Sequence, residues 1–341
     1  MKILRILFLS ALVTCIGCSS SETENPDITN MEGQNEMEMD DSGESDDAED
    51  SDDTEGSRVF GAGIRVTNQA QIDSIGFFGY TRLQGGLIID GRDNENPIRD
   101  LTPFRTLTQL DAGLNIVDTR YLKSLDGLEN LNLIGGIQVI GNDSLESIDA
   151  LRGLTQINTI RRRVTLTPFN FFRNPRLESL SGFRNVTFID TVSVSIGANS
   201  SLTSLNGLEN LVTCFGISVN SNENLRSLSG LENVERIEAD FTVSNNSLLE
   251  SLDVGKLETL GRFLTIQDNP EITSLEGLNS ISRLESDLDV QNHAIIRNER
   301  LNDFCGIQEA LKNSDTTNLM IRIFSNAANP TVEQIVNDNC N

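Results

Sequence analysis

Leu225-Arg226-Ser227-Leu228-Ser229-Gly230-Leu231-Glu232-Asn233-Val234 decides the fold, because Leu202-Thr203-Ser204-Leu205-Asn206-Gly207-Leu208-Glu209-Asn210-Leu211 is the same phrase met one unit earlier. Its central apolar residue returns at Ile75, Leu101, Leu125, Ile148, Leu180, Leu205, Leu228, Leu252, Leu275 and Phe304, in steps of 26, 24, 23, 32, 25, 23, 24, 23 and 29 residues. A period between 20 and 50 residues marks a chain that stacks one small unit on the next.

Upstream of each anchor lies an apolar-polar-apolar triplet: Ile64 to Val66, Leu87 to Ile89, Leu114 to Ile116, Ile137 to Val139, Val164 to Leu166, Val192 to Val194, Ile217 to Val219, Phe241 to Val243, Leu264 to Ile266 and Leu288 to Val290. Alternation with β-branched residues predicts a short strand whose first and third side chains face a core while the second faces out. Stacked about 4.8 Å apart, such strands make a parallel sheet roughly 45 to 50 Å long. A polar turn follows each strand, with Asn68, Asn142, Asn222, Asn245, Asn269 and Asn292 read as the residues that close it. Gly127, Gly153, Gly182, Gly207, Gly230 and Gly277 read as bends beside the core. No glycine-rich loop follows a strand and opens a helix, so a phosphate cradle is not expected.

The unit L-x-I-x-x-N-x-x-L-x-S-L-x-G-L, as in Leu264 to Leu278, resembles the receptor L-domain repeats of Bacteroidota surface lipoproteins, over roughly residues 58 to 341. It is also similar to leucine-rich repeats, with one residue more after the Asn, as Asn269 to Ile272 shows. The resemblance implies a mainly β, right-handed single-chain solenoid of about ten coils of 23–25 residues. It also implies a ligand-binding rather than a catalytic role, with a protein or glycan as ligand. After Phe304 the repeat stops, and a helix from Ile307 to Asn313, a strand from Leu319 to Phe324 and a helix near Thr331 are expected to form a small α/β cap. Thr331 and Gln334 have capping-box spacing. Cys305 and Cys340 are expected to pair in an oxidising compartment, and Cys214, at an apolar position of its repeat, reads as a small core residue.

Composition bounds the function. With 51 Asp and Glu against 26 Lys and Arg the formal charge is −25, so no nucleic-acid face is expected. From Glu22 to Glu55 there are 16 acids, no cation and no aromatic, a composition that cannot bury enough apolar area to fold. Ahead of it, Lys2 and Arg5 precede a run from Ile6 to Ile16, too short to span a bilayer and read as an export signal. Cys15-Ile16-Gly17-Cys18 resembles a bacterial lipobox, with Cys18 as the lipidated anchor carrying acyl chains such as palmitate and Cys15 where the family usually has Leu. The divisions expected are a signal at 1–17, an acidic tether at 18–57, the repeats at 58–303 and the cap at 304–341. The tether resembles those of lipoproteins exported to the outside of the outer membrane. A solubilising spacer inside the periplasm is the other reading.

Two long steps of the repeat mark insertions. The first places Arg161, Arg162, Arg163, Phe171, Phe172 and Arg173 on a loop, an arginine-aromatic group of hot-spot composition. The other reading is that the phenylalanines fill an enlarged coil and the arginines answer nearby acids. The second carries His293, Arg297 and Arg300. Outward strand positions, among them Thr165, Ser193, Ser218, Thr242 and Thr265, form a polar strip suited to a glycan or protein through hydrogen bonds, or merely an exposed strand face. No Ser-His-Asp set beyond the one histidine, no zinc spacing and no carboxylate cluster on the strip are legible, so no catalysis, metal or cofactor is expected. A structural stalk in the envelope is the alternative to a binding module, and a polysaccharide-active solenoid enzyme the remote one.

Overall fold

A strand with one face on a core must turn every second side chain inward, and those side chains then stack from repeat to repeat. The computed structural model describes residues 57–93, 95–157, 169–284, 293–315 and 319–340. In it the inward positions form two continuous buried columns. One runs through Ile64, Leu87, Leu114, Ile137, Phe169, Val194, Ile217, Phe241 and Leu264, and the other through Val66, Ile89, Ile116, Val139, Phe171, Ile196, Val219, Val243 and Ile266. The chain is mainly β, with its strands joined in one parallel sheet.

A third inward column was not visible in the sequence. Leu83, Leu110, Ile134, Ile157, Ile189, Cys214, Ile237 and Leu260 belong to a second strand of each repeat, in places only two residues long, as in Arg82–Leu83, Arg236–Ile237 and Thr259–Leu260. Two residues are too few to show alternation. Elsewhere the two strands merge into one bent strand, as in Gln109–Val117 and Leu133–Ile140.

The phrase Gly-Leu-Glu-Asn is explained residue by residue. Gly207 and Gly230 sit at φ 115° and 109°, and a Cβ there would run into the carbonyl of Leu180 or Leu205 in the preceding repeat. Leu208 and Leu231 enter the core. The Glu232 carboxylate accepts the Gly230 N–H at 2.8 Å, as Glu209 accepts that of Gly207 at 2.9 Å. Asn233 donates to the Glu209 carbonyl of the preceding repeat at 2.7 Å. Leucines three apart share one side because the chain turns tightly there: the N–H groups of Leu231 and Val234 donate to the carbonyls of Leu228 and Leu231, both at 3.1 Å. All ten anchors are buried.

The turn asparagines are buried and joined into a ladder: Asn142, Asn174, Asn199, Asn222, Asn246, Asn269, Asn298 and Asn326. Each side chain serves the repeat before it. The Asn222 Oδ1 accepts the Asn199 N–H at 3.1 Å, and its Nδ2 donates to the Ile196 carbonyl at 3.0 Å. Asn245, expected to close its turn, instead precedes the ladder residue Asn246, and Asn68 caps a helix, accepting the Gln71 N–H. Asn292 lies outside the described residues.

Three other expectations change. Val164 to Leu166 and Leu288 to Val290 lie outside the described residues, and the strands that pair in their repeats are Phe169–Phe172 and His293–Ile296. The first repeat holds an unforeseen helix, α1 (Gln69–Phe77). At the C-terminus, α2 (Gln308–Lys312), the strand Ile321–Phe324 and α3 (Val332–Val336) match the expected cap, with the capping box of Thr331 and Gln334 in place. That strand pairs with His293–Ile296 and so continues the sheet. Cys305 and Cys340 are disulfide-bonded, with Cα atoms 5.0 Å apart.

Two outcomes are expected. Asn222→Ala strands two buried backbone groups and costs about 3 kcal/mol, and Asn222→Asp, which keeps the acceptor but buries a charge without a donor, costs more; denaturant midpoints of the two variants check the order. Reduction of Cys305–Cys340 releases a loop spanning 35 residues and lowers stability by about 3 kcal/mol, read as a fall in melting temperature.

Candidate functional site

The residue just before each ladder asparagine, and before Thr119, which takes that place one repeat earlier and donates its N–H to Asn142, is held in the left-handed region: Asp118 at φ 53°, Gly141 at 70°, Arg173 at 56°, Ala198 at 53°, Ser221 at 56°, Asn245 at 57°, Asp268 at 55°, Arg297 at 56° and Ser325 at 58°. The cause is the ladder, which needs both the turn residue's N–H and the following side chain aimed at neighbouring repeats. Thus the Arg173 N–H donates to the Gly197 carbonyl at 3.0 Å while Asn174 reaches back to Val139. Most of these residues are not glycine and pay about 1 kcal/mol or more for the conformation. Their side chains form a row along one edge of the sheet, free of any role in the core.

Along that edge lies an open cleft of about 500 Å³, lined by Gly91, Arg92, Asp118, Arg120, Gly141, Asp143, Arg173, Pro175 and Ala198. It exists because small residues interrupt the row. Gly141 lies between the larger side chains of Asp118 and Arg173, Gly91 and Ala198 flank them on the outer sides, and a Cβ on Gly141 would collide with the Asp118 carboxylate.

Its charges are unequal in their freedom. Arg92 Nε donates to Asp90 Oδ1 at 2.8 Å, its Nη2 reaches Asp90 Oδ2, and Arg65 donates to the same carboxylate at 2.6 Å. Arg120 faces Asp143 at 3.9 Å. Among the described residues Arg173 pairs with no carboxylate; its guanidinium lies 5.9 Å from the centre of the Phe172 ring. The Asp90 side chain is only 5% exposed. The Arg92 guanidinium hydrogen-bonded to it holds its carboxyl far below the usual carboxylate range, against the opposing effect of burial and with help from the Arg92 N–H and Arg65.

The sequence-derived candidates fall in separate places. Arg161, Arg162, Arg163 and Thr165 lie outside the described residues. Phe171 is not available to a ligand: it is fully buried, packed with Phe169 and Phe183 at ring separations of 5.2 and 5.3 Å, because it occupies an inward strand position. Phe172 is half-buried at the strand end, and Arg173 stands exposed on the turn row. Ser218, Thr242 and Thr265 do align on the outward strip. Ser193 does not: it stands opposite Gly216 at the bend, and Ser195 takes the place beside Ser218. Asn170 takes the place assigned to Thr165, between Gln138 and Ser195.

In the second insertion, His293 is a core residue, buried at the position Leu264 holds one repeat earlier, its Nδ1 accepting the Leu264 N–H at 3.1 Å. Arg297 pairs in bidentate fashion with Asp268, and Arg300 donates one hydrogen bond to Glu271. Burial beside Glu238 pushes the Cys214 thiol up to about 12, which removes its nucleophilic form at neutral pH.

The cleft itself was missed, since Arg92, Asp118, Arg120 and Asp143 stand in no motif. Aligning the repeats on the ladder asparagines would have exposed it, as Gly141 and Ala198 then appear as gaps in a row otherwise filled by side chains. No family model matches the chain, and no curated protein matches it.

A depressed carboxyl contributes stability that is fully present above its unfolded value near pH 4 and is lost as pH falls through the folded value. Asp90→Asn is therefore expected to lower the melting temperature at pH 7, with the difference kept down to about pH 4 and narrowing from there toward pH 2; melting curves from pH 7 to 2 check this.

Proposed function

We propose that this chain is a non-catalytic binding protein, held at the cell surface by a lipid on Cys18 and built as a right-handed solenoid of about ten coils of the receptor L-domain kind. The observation that carries the reading is the cleft on the turn row, where two small residues, Gly141 and Ala198, open a rigid edge beside an arginine that has no carboxylate partner among the described residues. Loops and turns set on a stiff scaffold are where binding residues concentrate. The ladder beneath supplies the stiffness.

Residues outside the described part support the location. Cys15-Ile16-Gly17-Cys18 has the composition of an anchor site, and the acidic composition from Glu22 to Glu55 is that of a spacer. No helix among the described residues is long and apolar enough to cross a membrane, so attachment in this reading rests on the acyl chains, with a protein or glycan as the partner outside the outer membrane.

Metabolic labelling with a palmitate analogue tests the anchor: the full chain takes up label, and Cys18→Ala does not. Protease treatment of intact cells tests the side, the protein being cleaved within the acidic stretch without lysis. Absence of label, or protection until lysis, overturns the corresponding half of the proposal.

A further inference from the structure

The geometry points to the chemical class of the ligand, an inference that rests on the binding-protein reading: we propose that the slot between Asp118 and Arg173, floored by Gly141, takes a carboxylated saccharide, with Arg173 holding the carboxylate and Asp118 accepting from hydroxyls.

The turn row places Asp118, Gly141 and Arg173 in consecutive stacked repeats, since the strands leading into them pair in register and their N–H groups donate across to Ile140, Phe172 and Gly197. Two strand spacings put the backbones of Asp118 and Arg173 about 10 Å apart. With glycine between them, Asp118 and Arg173 border one open cleft whose volume admits a sugar ring above the row, with an acceptor on one side and a donor on the other. The acid side is fixed by which arginine is free. Arg92 is engaged by Asp90 and Arg120 by Asp143, whereas Arg173 keeps a planar fork of donors that matches a carboxylate. The hydroxyl side is fixed by Asp118, which has no arginine hydrogen-bonded to it among the described residues and whose carboxylate leans over Gly141 into the cleft.

A protein ligand fits less well. Protein contacts are anchored by large apolar or aromatic groups in dry pockets, and Pro175 and Ala198 are the only apolar side chains in this lining. A hydroxyl-rich ring with one negative group needs the open, polar, shallow surface that is present.

The test compares trigalacturonate with trigalactose, its neutral counterpart, on the detergent-solubilised full chain by titration calorimetry. The acid is expected to bind at least tenfold more tightly. Arg173→Ala removes the difference and Arg173→Lys restores part of it, while Arg300→Ala, at an ion pair elsewhere on the same edge, leaves it intact. Arg173→Ala is expected to fold, because Ala198 holds the same backbone conformation in the same row at φ 53°, and an unchanged melting temperature confirms it. Equal binding of the two trisaccharides, binding of the acid that survives Arg173→Ala, or full competition by inorganic phosphate each overturns the assignment. If neither sugar binds while cross-linking on intact cells recovers one stoichiometric protein partner, the saccharide falls and the binding-protein reading stands. If neither experiment finds a ligand, both fall.

Discussion

Everything in this structure depends on one buried contact made again in repeat after repeat from Asn142 to Asn326, an asparagine side chain that satisfies the backbone of the repeat before it. Asn246 shows the economy of the arrangement: its Oδ1 accepts the Asn222 N–H at 3.0 Å, its Nδ2 donates to the Val219 carbonyl at 3.1 Å, and its own N–H goes forward to Asn269 at 3.0 Å. In a dry interior an unpaired amide or carbonyl costs about 1–3 kcal/mol, so each asparagine answers two such costs at once. Because every link serves the repeat behind it, the ladder also fixes how far one repeat is rotated on the next. The leucine columns supply the apolar burial, but a leucine tolerates small slips that a hydrogen bond of fixed length and angle does not.

This division explains what could be read from the amino-acid sequence alone and what could not. The anchors Leu205, Leu228 and Leu252 announce themselves because burial selects residue type at a constant interval. The capping box at Thr331 is legible for a similar reason, being local chemistry at a fixed spacing. Asn245 and Asn246 could not be told apart, since both are asparagine in one turn and only the backbone reveals that the first is left-handed and the second buried. The strand at Phe169–Phe172 was displaced by a rival apolar alternation at Val164 to Leu166, and insertion length alone does not say on which side of the strand the extra residues fall. Helix α1 escaped because its apolar face is narrow, with only Ile72 and Ile75 buried.

Charge tells a parallel story. Removing the 16 acids of the Glu22 to Glu55 stretch and the cations Lys2 and Arg5 leaves 35 acids and 24 bases, so the repeats and cap carry −11 of the total −25. On the repeats many arginines answer an acid one repeat away, as Arg226 answers Glu250 and Arg176 answers Glu146. Such exposed pairs contribute about 0–1 kcal/mol each, too little to hold the stack together. Their use is to keep a repetitive acidic surface from repelling itself. The first repeat departs from this polar rule: Phe77 is 88% exposed, and Phe78 stacks on Tyr80 at 5.8 Å, beside the first strand of the sheet.

A ladder that takes all of the structural duty at one position frees the next. The turn row can hold Asp, Gly, Arg, Ala, Ser or Asn without disturbing the asparagine beside it, because the left-handed backbone is imposed from below and each side chain points to solvent. Such a row can change its side chains by single substitutions at almost no cost to the fold, and small residues that interrupt it open a cleft. Gly141 and Ala198 do so on either side of Arg173. Farther along, Arg297 stands in the same row but is held by Asp268 one repeat before it. The difference between the two arginines is thus the neighbour in the row: glycine before one, aspartate before the other. That neighbour decides whether the guanidinium spends its hydrogen bonds on the protein or keeps them for something outside it.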